Sequence, residues 1–131
     1  MPSNIKWTVK SGYNQNGNYG PNADFSLGNE QGYYLFFDSS IATPGQKALI
    51  QTDPLQSAIT NNCLKFWYFM NSNVDRNVGK LNVYDIDLET NEMTLLWTLE
   101  YAQGNEWLQG ALTYAYKMKH SIVFEAVRGP G

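Results

Sequence analysis

Three carboxylates alternate along Asp85-Ile86-Asp87-Leu88-Glu89, and in an extended chain all three point to one side. Carboxyl groups sharing a face are what paired acid–base cleavage of a glycosidic bond requires. A retaining pair needs its carboxyl groups roughly 5–5.5 Å apart, whereas residues four apart on a flat strand are separated by about 13 Å. A bulge would be needed to close that gap. Because Thr90 and Asn91 open a turn, the expectation is an acidic hairpin end in water, with carbohydrate chemistry at Asp85, Asp87 and Glu89 as the alternative.

The other reactive side chains stand alone. His120 is the single histidine and Cys63 the single cysteine, so no Ser-His-Asp, Cys-His or zinc arrangement has a sequence context. His120, between Lys119 and Ser121, is expected in a solvated turn. Asp38 offers one oxygen where a hard cation takes six or more, and no metal or cofactor is expected. Trp7, Trp67, Trp97 and Trp107 could stack sugar rings. Trp67 in mid-strand and Trp97 in a leucine-rich run are expected in the core. Trp107, beside the Gly104-Asn105 turn, has the stronger claim to exposure, although packing is expected there too. Glu125 and Arg128 are read as a structural pair or as solvated charges.

The elements that must position these residues centre on Cys63-Leu-Lys-Phe-Trp-Tyr-Phe-Met70. Its aromatic enrichment, short length and polar flanks favour a strand, with both faces apolar past Lys65, and therefore a central one covered on both sides. Strands are also expected at 5–9, 32–37, 47–51, 80–86, 93–98, 111–118 and 121–127. The 32–37 and 47–51 strands are expected to be neighbours across the Pro44-Gly45 turn, and 80–86 with 93–98 to form a hairpin. Ser11 to Asn22 reads as a long surface loop rich in Gly, Asn and Tyr, and is a candidate for contact, with a plain loop as the alternative. About eight short strands without a convincing helix give an all-β antiparallel jelly-roll β-sandwich of concanavalin-like layering.

Composition bounds the function. A chain of 131 residues is one domain by length. Its net charge of -3 comes without any Lys/Arg cluster, so neither nucleic acid nor an anionic membrane is an expected partner. No apolar run approaches the roughly 20 residues of a membrane helix, and Met1-Pro-Ser-Asn4 lacks a signal-peptide apolar region. By itself the chain reads as soluble and unexported. No Asn-x-Ser/Thr sequon occurs, so N-glycans on this segment are not expected.

Two resemblances sharpen the alternatives. Asp85-Ile-Asp-Leu-Glu89 is similar to the Glu-Ile-Asp-x-Glu strand of jelly-roll endoglucanases, though its first position is Asp. A longer set resembles the MAM domain, the extracellular module of meprins, neuropilins and mu-type receptor tyrosine phosphatases. That set is Gly32-Tyr-Tyr-Leu35, Asp38-Ser-Ser40, Ala48-Leu49, Cys63-Leu64, Phe66-Trp67-Tyr68, Met70, Gly79, Leu81, Val83-Tyr84, Leu96-Trp97, Gln103-Gly104, Trp107 and Phe124-Glu-Ala-Val-Arg-Gly129. It implies a non-catalytic adhesion module of a larger secreted or membrane-anchored protein. The partner would be a protein, another copy of itself being one form. The family's cysteine-bearing first strand and its acidic last strand have no counterpart here. The resemblance therefore implies a single domain over 1–131 lacking both strands, with Cys63 one half of a disulfide whose partner lies outside this chain.

Overall fold

The architecture is that of a computed structural model, which describes residues 6–11, 33–37, 42–56, 61–71, 79–104, 106–115 and 119–129. The chain is all-β, in antiparallel pairs throughout. Its strands are β1 (Thr8–Ser11), β2 (Tyr33–Phe36), β3 (Lys47–Gln51), β4 (Asn61–Tyr68), β5 (Lys80–Asp87), β6 (Met93–Glu100), β7 (Leu108–Ala115) and β8 (His120–Val127). They form a four-stranded sheet in the order β3-β8-β5-β6 and the two-stranded ribbons β4-β7 and β1-β2. The last strand thus lies between the third and the fifth. The β4-β7 ribbon stacks face to face on the larger sheet, giving the jelly-roll sandwich.

The interlayer core is aromatic. Phe66 of β4 meets Trp97 of β6 edge-on at 5.1 Å and Phe124 of β8 at 5.4 Å, while Tyr68 lies 5.3 Å from Trp97. Phe66 pairs across the ribbon with Gly110, where a Cβ would strike the Phe66 ring. The glycine therefore leaves the room that the ring occupies. From the larger sheet Ala48, Leu81, Val83, Ile122 and Ala126 are buried beneath this layer. Trp7 fastens the β1-β2 ribbon: its indole N–H donates to the carbonyl oxygens of Ala48 at 3.0 Å and Phe124 at 3.3 Å. Its ring lies 6.0 Å from that of Phe37.

The β5-β6 hairpin forms where expected. Asp87 Oδ1 accepts the backbone N–H groups of Glu89 and Thr90, Asn91 N–H donates to Asp87 O, and Asn91 takes a φ of 63°. These are the ways Asp and Asn close a turn. One irregularity was not expected. Between Val83 and Tyr84 the register shifts, Val83 facing Trp97 and Tyr84 facing Leu95, so Leu96 is the extra residue of a β-bulge. The bulge re-aims the strand, turning Trp97 to the core and Leu95 outward although both hold alternate positions.

Two expectations about pairing are corrected. The 33–36 and 47–51 strands are not neighbours: β2 pairs with β1 and β3 with β8. The Pro44-Gly45 turn serves β8 instead, since Gly45 N–H donates to Arg128 O and Arg128 N–H to Gln46 O. Beyond β3, Thr52 and Ile122 continue the same ladder. Among the described residues, the stretch from Cys63 is also not covered on both faces. β4 pairs with β7, and its residues alternate between exposed (Cys63, Lys65, Trp67) and half-buried (Leu64, Phe66, Tyr68). A lysine in the first row keeps that row in solvent. The middle of the larger sheet is β8 and β5, which carry buried residues on both faces, such as Val83 and Asn82 on β5 and Ile122 and Val123 on β8.

Candidate functional site

The acidic stretch comes apart residue by residue. Asp85 is 2% exposed on the core face of β5. Asp87, the last residue of the strand, caps the turn, and Glu89 stands exposed within it. The bulge lies in β6, opposite Val83 and Tyr84 and ahead of all three carboxylates, and it does not lie between Asp85 and Glu89. Trp107 is half-buried, its ring 5.9 Å from Tyr34 and 5.5 Å from Phe69. Trp97 packs against Phe66 and Tyr68. Asp38 and residues 12–22 lie outside the described residues.

Two polar groups are buried: His120, expected in a solvated turn, and Glu125, expected as a structural pair with Arg128 or as a solvated charge. His120 is not in a turn: it opens β8 at 1% exposure, and its backbone exchanges both hydrogen bonds with Leu55. That bridge extends the ladder and turns the imidazole inward, where Nε2 is 2.7 Å from the Tyr114 hydroxyl of β7. Burial holds Tyr114 above the usual phenol range, and the nearby charge of Asp85 adds to the effect. Glu125, 6% exposed, is likewise not a solvated charge. Its carboxylate accepts from Asn82 Nδ2 at 2.9 Å and from the Tyr84 hydroxyl at 3.4 Å, with Lys47 Nζ at 3.9 Å. Asn82 in turn accepts from the Thr98 hydroxyl. Asn82 and Glu125 sit directly opposite each other, so pairing converts two polar residues into one satisfied row. The signal was present only as alternation: Glu125 falls out of phase with Ile122, Phe124 and Ala126.

What faces outward is the second side of the β4-β7 ribbon. Cys63, Lys65 and Trp67 stand opposite Thr113, Ala111 and Gln109, and all six are exposed. Trp67, expected in the core, is instead 41% exposed. The reason is parity: with Phe66 and Tyr68 committed to the interlayer, Trp67 must point the other way. Cys63 carries an exposed free thiol on the same row. Among the described residues, no group of three His, Cys, Asp or Glu side chains could hold a metal ion. Among the described residues the outward row sets one large, partly exposed aromatic among small and polar side chains, a composition suited to covering by another surface.

Comparison with known proteins yields one family. The family model described as "MAM domain, meprin/A5/mu" matches residues 1–131. "Thyroid hormone-induced protein B" of Xenopus laevis is 39% identical over 111 residues, covering 84% of this chain and 15% of that protein. "MAM domain-containing protein 2" of Homo sapiens is 33% identical over 123 residues, 94% of this chain and 17% of that protein. "MAM domain-containing glycosylphosphatidylinositol anchor protein 1" of Homo sapiens is 29% identical over 137 residues, 100% of this chain and 14% of that protein. The chain thus spans 14% to 17% of the length of these curated relatives.

Proposed function

Since the chain belongs to the MAM domain family, a family of extracellular adhesion-type domains, we propose that it is a non-catalytic recognition module acting by protein–protein contact. The contact surface is the outward face of the β4-β7 ribbon, with Trp67 at its centre. The observation that carries this reading is the exposure of Trp67 amid Lys65, Gln109 and Ala111. Large aromatics within a polar surround are the residues on which binding energy concentrates. Dispersal of Asp85, Asp87 and Glu89 supports a binding role over a carbohydrate-cleaving one. A relative named for a glycosylphosphatidylinositol anchor supports a place at the cell surface for the longer protein. Among the described residues no helix is long and apolar enough to cross a membrane.

The occupant to test first is a second copy. Beads carrying the wild-type chain are mixed with beads carrying Trp67→Ala or Val9→Ser, the latter a control exposed on β1. Clustering should survive Val9→Ser and fall at least ~10-fold with Trp67→Ala, the loss that about 2 kcal/mol at a hot spot produces. Thermal stability should change by no more than about 0.5 kcal/mol, as for surface positions generally. If wild-type beads do not cluster, another protein is the partner. If they cluster and Trp67→Ala clusters equally well, the contact lies elsewhere.

A further inference from the structure

We draw no further inference here: the strongest candidate, the directly opposed and exposed apolar pair Val9 and Leu35 on the β1-β2 ribbon, carries nothing because nothing in the structure shows what covers it.

Discussion

Tyr114 ties two layers together with one oxygen. Its hydroxyl reaches His120 from β7 while the histidine is anchored through its backbone to Leu55, so Tyr114→Phe strips a buried imidazole nitrogen of its partner. A lost partner at a buried polar group costs about 1–3 kcal/mol, and urea unfolding of Tyr114→Phe should show a loss in that range with an unchanged m-value. A stability equal to wild type would mean the bond contributes nothing net. Cys63 makes the opposite case, for its thiol is exposed on the outer row of β4. It should react with a thiol reagent in the folded protein within a few-fold of the rate seen in denaturant, because access and not opening of the fold limits it. Protection by orders of magnitude would contradict that placement. His120 could not be assigned from sequence, since a lone polar residue at a strand end looks the same whether its side chain meets water or a tyrosine on another strand, and for Glu125 alternation gave the face but not the partners.

The β4-β7 ribbon depends on a glycine lying beneath a ring. Gly110→Ala would drive a methyl group into Phe66, at a cost of about 1–3 kcal/mol for overpacking. Pairing it with Phe66→Leu should recover part of that loss in a double-mutant cycle, whereas simple additivity would mean the two positions do not meet. The hairpin was legible in the sequence because its information is local: alternating strands joined by Asp, Thr and Asn in a turn. The β3-β8 pairing was not, because partners 72 to 80 positions apart leave no local mark, as with Ala48 and Ala126. Nor did aromatic richness distinguish a half-covered strand from a central one. Phe66, Trp67 and Tyr68 read alike until pairing with β7 decides which row faces the larger sheet, and so the surface around Trp67 was missed while the fold class was not.

For the molecule as a whole, three tyrosines link the fold to alkaline pH. Burial raises Tyr34, Tyr84 and Tyr114 above the ordinary value; at Tyr84 the charge of Glu125 and the hydrogen bond to it contribute further, as Asp85 does at Tyr114. Above about pH 10 the unfolded chain gives up these protons more readily than the folded one. The stability they contribute is therefore fully present below that value and lost as pH rises through the higher folded values. Urea midpoints measured from pH 8 to 11.5 should hold level as far as these groups are concerned and then fall, and a midpoint still level at the top of that range would contradict the assignment. The bulge in β6 has a consequence for chain length. Everywhere else in the paired strands the number of residues is dictated by the partner, and losing one would reverse the facing of all that follows. Leu96 is surplus to that count, so its deletion should leave Leu95 against Tyr84 and Trp97 against Val83. It marks the place in this hairpin where a lineage could gain or lose a codon without turning the sandwich inside out.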